Sequence, residues 1–98
     1  MALPRFKFGE KLYIGNADGL MSQVEPLFEE PAGRIVFDFE NVRLCDSYGL
    51  RFLLNCRRKA EERGHRLILY KVHPVILELI ENVKLDQFFT FTDTLDVN

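Results

Sequence analysis

The chain lacks the features of several large protein classes. It has no tryptophan, and its two cysteines, Cys45 and Cys56, lie eleven residues apart. That spacing forms neither a CxxC pair nor a disulfide framework, so we expect reduced thiols. No apolar run approaches the roughly 18 residues that a transmembrane helix needs, and the first residues include no apolar segment typical of a signal peptide. These absences predict a cytoplasmic protein without a membrane span.

Charge and motifs exclude further classes. The 13 lysines and arginines are outnumbered by 15 acidic residues, so we predict no direct binding to nucleic acid. The motifs GxGxxG, GxxxxGKS/T, HExxH and GxSxG, which mark nucleotide sites, metalloproteases and hydrolases, are absent. His65 and His73 have no companion ligands at the spacing of a metal site. We therefore predict no metal or other cofactor and a protein that is not an enzyme.

The residues that are present predict alternating strands and helices. Gly9-Glu10 separates two short β-like runs, 5–8 and 11–14, and predicts a hairpin. A helix should begin near Ala17 and should end or kink near Glu25, because Pro26 follows. Continuous apolar runs then predict buried strands at 34–39 and 67–70. Apolar residues at helical spacing predict a helix at 48–63 and another that opens at His73-Pro74.

The element order ββαβαβα predicts the fold class. Strands that alternate with helices indicate parallel βαβ units. We expect an α/β domain with a mixed sheet of four to five strands, in which the leading hairpin contributes an antiparallel strand. The strands at 34–39 and 67–70 are apolar on both faces, so we expect helices to cover the sheet.

The loop at 40–47 leads to the start of the second helix and is the best place for chemistry. It follows a strand, and ligands in open α/β sheets bind beyond the carboxyl ends of strands. The loop brings Asp46 and Ser47 to a helix N-terminus, which favours anionic groups. A phosphate on Ser47 would add a charge of about −1.5 to −2 beside Asp46, as in a switch. The alternative, favoured by spacing alone, is that both residues only cap the helix.

A family resemblance favours the switch. Residues 35–39, then Val42, then the run 45–50 (Cys-Asp-Ser-Tyr-Gly-Leu) resemble the STAS domain of anti-sigma-factor antagonists. The stretches 62–69 and 77–91 resemble later family elements more loosely, and the similarity spans roughly residues 11–92. The resemblance implies a single STAS-like domain over 1–98. The chain departs from the family at Tyr48, where a small residue is usual, and at Lys84, where glycine often occurs.

The resemblance also implies partners and site residues. An anti-sigma serine kinase would bind the dephosphorylated chain, releasing a sigma factor, and would phosphorylate Ser47; a PP2C-type phosphatase would reverse the modification. Asp38 and Cys45 would shape the site, although Asp38 could equally satisfy only a turn N–H. The implied partner-binding residues are Asp46, Ser47, Tyr48, Gly49, Leu50 and Arg51.

Three alternatives stay open at this point. Tyr48 could anchor the domain permanently in a lipid-transport ABC complex or a stress-signalling assembly, without phosphorylation. Cys45 could be a nucleophile if the helix N-terminus lowered its pKa, although no His or Lys base lies nearby in sequence. The basic stretch 51–71 could dock an acidic partner, but a solvated helix face with pairs such as Arg57–Glu61 is the simpler interpretation.

Overall fold

A computed structural model of the chain describes residues 3–31 and 33–95, and it confirms the α/β class. These residues form six strands and three α-helices. A short 3₁₀ helix at Asp86–Phe88 lies between the last α-helix and the last strand. The elements are β1 Arg5–Lys7, β2 Lys11–Leu12, α1 Ala17–Phe28, β3 Arg34–Asp38, β4 Leu44–Cys45, α2 Ser47–Glu62, β5 Arg66–Tyr70, α3 Pro74–Asn82 and β6 Thr90–Thr92.

The strands form two sheets. The larger has the order β1-β3-β5-β6, and the smaller pairs β2 with β4. β3 and β5 flank α2 in sequence and pair in parallel, with Ile35 opposite Leu67, so the predicted parallel βαβ arrangement is confirmed. Ile35, Val36 and Phe37 are all fully buried although successive side chains on a strand point to opposite faces. Both faces of the larger sheet are therefore covered, as expected.

The predicted leading hairpin was wrong, and with it the antiparallel strand. Every strand pair in the described part of the chain is parallel, β1 with β3 and β2 with β4. Two-residue hairpin turns need positive φ, and Gly9 does not adopt it. Phe8 is buried instead, and its N–H extends the β1–β3 pairing by donating to the Asp38 carbonyl at 3.0 Å. The chain then crosses to the second sheet.

Helix α1 runs three residues past its predicted end. Pro26 lies inside the last turn, and the helix continues to Phe28. A proline in a helix interior costs about 3 kcal/mol, and burying a phenylalanine contributes about 1.5–3 kcal/mol. Phe28 is 1 % exposed and Val24 is fully buried. Core packing of these two side chains therefore holds the last turn despite the proline.

A cluster of phenylalanines fixes α2 on the sheet. The ring of Phe8 lies 5.0 Å from those of Phe37 and Phe39, and Phe52 of α2 lies 6.1 Å from Phe8. All four side chains are at most 4 % exposed. Because aromatic rings dominate core energetics, this cluster sets the position of α2 and of its first residue, Ser47.

Candidate functional site at the start of helix α2

The small sheet ties the segment before α2 to the start of the chain. Lys11 pairs with Leu44, and Leu12 pairs with Cys45. Glu10 adds its carbonyl, which accepts the N–H of Leu44 at 3.2 Å. The predicted loop at 40–47 therefore contains a strand, β4, which was not predicted because two residues are too few to show a period. The consequence is that the site is built against β2 as well as on α2.

Asp46 caps α2 and also holds the loop between β2 and α1. Its Oδ1 accepts the N–H of Gly49 at 2.9 Å, and its Oδ2 accepts the N–H of Ile14 at 3.0 Å. Desolvation acts to raise the pKa of this carboxyl, but the hydrogen bonds from Gly49 and Ile14 outweigh it and hold the pKa below its usual value. Asp46 is therefore ionised, and each of its two oxygens accepts a hydrogen bond from a different segment of the backbone.

Ser47 is the first residue of α2, and it is exposed. Within residues 3–31 and 33–95 its hydroxyl forms no hydrogen bond. The hydrogen bonds that cap the helix and hold the loop at Ile14 are accepted by the Asp46 carboxylate. The next side chain, Tyr48, is 48 % exposed and leaves the serine open to solvent. Ser47 is thus accessible from solvent.

The other predicted partner-binding residues divide into buried and exposed sets. Gly49 and Leu50 are buried, and Leu50 belongs to the core. A Cβ on Gly49 would lie 2.3 Å from the Leu12 carbonyl oxygen and 2.9 Å from Cys45 Sγ. Only glycine fits this contact between α2 and β2. Arg51 is exposed, so Ser47, Tyr48 and Arg51 are the members of this set that lie on the surface.

The thiol pKa of Cys45 is raised, whereas a helix N-terminus nearby would lower it. Burial raises the pKa of its thiol to about 12, and the neighbouring charge of Asp46 acts in the same direction. The thiol is therefore protonated at neutral pH. A role for Cys45 as an activated nucleophile does not agree with these surroundings; its Sγ instead packs against Gly49.

Asp38 lies at the end of β3, where it is 1 % exposed. Its Oδ2 accepts a hydrogen bond from Arg5 at 2.9 Å, and its Oδ1 accepts the N–H of Glu40 at 3.0 Å. Burial acts to raise the pKa of Asp38, but the bonds from Arg5 and Glu40 outweigh it and lower the pKa. These bonds organise the turn after β3, and neither reaches Ser47.

Tyr48 and Arg51 line a groove of about 660 Å³ between α1 and α2, here called the α1–α2 groove. Ile14 lies at the same groove and is 59 % exposed. Ile14 was predicted to lie in a strand and was not predicted as a site residue. Its link to Asp46 joins residues 32 apart, and no local pattern could have revealed that contact.

Two arginines of the α1–α2 groove differ from their neighbours on α2. Arg57 forms the predicted pair with Glu61, with 3.0 Å between Nη2 and Oε2, and Lys59 pairs with Glu25. Arg51 and Arg58 also line the groove. Neither takes part in an ion pair within the described ranges. The groove therefore presents two guanidinium groups that form no ion pair with the described residues, beside the acidic residues Asp18 and Glu25 that also line it.

The sequence profile of the STAS domain matches residues 5–97. The chain belongs to the STAS domain family, as the resemblance implied. A comparison with curated proteins finds no match. None of the helices within the described residues is long and apolar enough to cross a membrane.

Solved structures show the same fold at low identity. A proposed anti-sigma factor antagonist from Thermotoga maritima has a TM-score of 0.79 and 19 % identity over 93 % of this chain and 80 % of its own. A sulfate transporter family protein from Wolinella succinogenes has a TM-score of 0.74 and 20 % identity over 90 % and 75 %. The anti-sigma factor antagonist SpoIIAA in its unphosphorylated form has a TM-score of 0.69 and 19 % identity over 93 % and 79 %.

Proposed function

We propose that this chain is an anti-sigma-factor antagonist that works as a phosphorylation-controlled binding switch. The observation that carries the proposal is Ser47, an exposed serine at the first position of α2 whose hydroxyl is free of the capping bonds. Membership of the STAS family supports the general class. In its dephosphorylated form the chain binds an anti-sigma serine kinase through Ser47, Tyr48 and Arg51, and the sigma factor is released.

The switching step is a phosphoryl transfer to Ser47. The kinase joins the γ-phosphorus of ATP to Oγ, the bond to the ADP oxygen breaks, and the hydroxyl proton leaves. The product carries about −1.5 to −2 charge beside the Asp46 carboxylate. Desolvating that charge at an interface where the kinase supplies no cation costs several kcal/mol, against about 8 kcal/mol for a micromolar contact. The complex therefore dissociates, and a PP2C-type phosphatase hydrolyses the phosphate to restore the hydroxyl.

The chain is the substrate in this cycle and not the catalyst. Cys45, the residue that most resembled a nucleophile in the sequence, has a thiol pKa raised to about 12 by burial and by Asp46. The kinase and the phosphatase supply the catalytic groups, and this chain supplies the surface that they recognise.

The test uses the cognate kinase, with ATP, and three variants. We expect wild type to gain one phosphate, at Ser47, and Ser47→Ala to gain none. Ser47→Asp should bind the kinase at least about tenfold more weakly, a change of 1.4 kcal/mol. Ser22, an exposed serine of α1, provides the matched control, and Ser22→Asp should bind as wild type does. Equal binding by wild type, Ser47→Ala and Ser47→Asp would reject the switch.

A second candidate is a constitutive subunit of a transporter or stress-signalling complex. It is favoured by the two exposed apolar side chains at the α1–α2 groove, Ile14 at 59 % and Tyr48 at 48 % exposure, since such residues anchor permanent contacts. Purification from native cells distinguishes the two functions. A stoichiometric transporter ATPase, together with an intact mass that never includes phosphate, would support the second candidate against the first.

A further inference from the structure

The exposed side of α2 carries a serine and an arginine at interacting spacing. Ser47 and Arg51 are four residues apart in one continuous helix, and both are exposed. Residues at i and i+4 are neighbours on a helix surface, with about 5–6 Å between Cβ atoms. Long side chains in helices lean toward the N-terminus. The guanidinium of Arg51 can therefore reach back over Ser47.

A carboxylate already lies at the start of α2 and accepts one of the backbone N–H groups there. A phosphate at a helix N-terminus normally accepts free backbone N–H groups. In this chain the Asp46 carboxylate accepts the N–H of Gly49 at 2.9 Å and that of Ile14 at 3.0 Å. A phosphate on Ser47 would meet this carboxylate as a like charge, so it needs a cation elsewhere.

We propose that Arg51 binds the phosphate on Ser47 within the same chain; this inference rests on the proposed phosphorylation of Ser47. Arg51 is free to do so, because no ion pair in the described parts of the chain involves it. An arginine fork matches phosphate oxygens in a bidentate way. The order also suits the helix dipole, since the anion is N-terminal to the cation.

Binding the phosphate changes the α1–α2 groove as well as the serine. Arg51 and Arg58 line it without forming an ion pair in the part of the chain that the structure describes, alongside the acidic residues Asp18 and Glu25. When Arg51 pairs with the phosphate, the groove loses one of these two cations. A partner carboxylate that faced Arg51 then loses its counter-charge and meets a phosphate. The phosphorylated chain thus differs from the dephosphorylated one over a wider surface than one side chain.

The test measures the phosphate itself and needs no kinase. Phosphoserine is incorporated at position 47 during translation, and its second pKa, ordinarily about 6, is followed by ³¹P NMR. We expect Arg51→Gln to raise this pKa by about 0.15–0.4 unit, because the pair with Arg51 favours the dianion. Arg51→Lys should restore part of the shift, and 1 M salt should reduce it.

Arg58→Gln is the matched control. It removes the same charge from the same groove, but position 58 lies eleven residues, or about 16 Å of helix, from Ser47. Its phosphate pKa should stay within about 0.1 unit of the unsubstituted protein, since exposed charges beyond a Debye length are screened. Equal shifts in Arg51→Gln and Arg58→Gln, or none in either, would overturn the role of Arg51. Neither result concerns kinase binding, which the Ser47→Asp comparison tests separately.

Discussion

Replacing Gly49 by alanine should push the start of α2 away from β2. The added Cβ would lie 2.3 Å from the Leu12 carbonyl oxygen, whereas ordinary contacts begin near 3.4 Å. The helix must therefore move by about 1 Å, the difference between those distances. Leu12 is fully buried, and its carbonyl also accepts the Asp46 N–H at 3.3 Å. Neither side of the contact can shift without breaking other interactions.

The magnitude follows from three effects. Inserting a methyl into a packed site costs about 1–3 kcal/mol, and weakening the bond from Asp46 to Leu12 costs about 0.5–1.5 kcal/mol. Alanine regains about 1 kcal/mol of helix propensity over glycine. The net expectation is a loss of about 0.5–3.5 kcal/mol in the free energy of unfolding, or about 2–28 °C in Tm for a domain of this size.

Gly19→Ala provides the control for this prediction. Gly19 also lies within a helix, α1, but a Cβ there would meet nothing within 4 Å. It should stabilise the protein by about 0.5–1 kcal/mol. Urea unfolding followed by circular dichroism measures both variants. A Gly49→Ala protein as stable as wild type, or one that gains stability as Gly19→Ala does, would refute the argument that α2 and β2 are in contact at this point.

Three further predictions concern the neighbouring residues. Asp46→Ala should lower Tm and speed hydrogen exchange at the Ile14 N–H, because that amide loses its acceptor. Asp38→Asn should cost about 1–3 kcal/mol at pH 7 through loss of the charged bond from Arg5. Since the folded pKa of Asp38 is lowered, its contribution is present above the unfolded pKa of about 3.9 and disappears as pH falls through the folded value. Cys45, with a thiol pKa of about 12, should react with iodoacetamide at pH 7 roughly a thousandfold more slowly than a free thiol of pKa about 8.5.

Each of these three predictions has an outcome that contradicts it. Unchanged exchange at Ile14 in Asp46→Ala would remove the link between α2 and the β2–α1 loop. A constant stability difference between Asp38→Asn and wild type from pH 7 to pH 2 in urea titrations would mean that Asp38 is not an ionised partner of Arg5. Rapid alkylation of Cys45, measured by mass spectrometry against a small free thiol, would show that the thiol is neither buried nor protonated.

Most of the fold was predictable because its elements are long enough to show a hydrophobic pattern. β3 has five residues with a continuous apolar run, and α2 has sixteen, in which the apolar positions repeat with helical spacing. The hairpin prediction failed because Gly9-Glu10 suits a turn in sequence, while burial of Phe8 in the core decides the path. β4 was not predictable, since its two residues become a strand only through pairing with Lys11 and Leu12.

The site was predictable in part for the same reason. Asp46 and Ser47 stand next to each other at a helix start, and capping preferences identify that arrangement locally. Ile14 enters the site only through a hydrogen bond to a residue 32 positions later. The raised thiol pKa of Cys45 likewise depends on its burial and on the charge of Asp46. Contacts of this kind arise from the tertiary fold and leave no local pattern.

The division of roles between Asp46 and Ser47 decides what a modification of this helix can do. If Ser47 were the cap, its Oγ would accept a backbone N–H, and a change at that oxygen would disturb the helix. Asp46 instead accepts the hydrogen bonds from Gly49 and Ile14. The serine oxygen therefore makes no hydrogen bond that the fold depends on. A phosphate on Ser47 would therefore alter the charge of an exposed surface while α2 stays in place, and a partner would respond to electrostatics and not to unfolding.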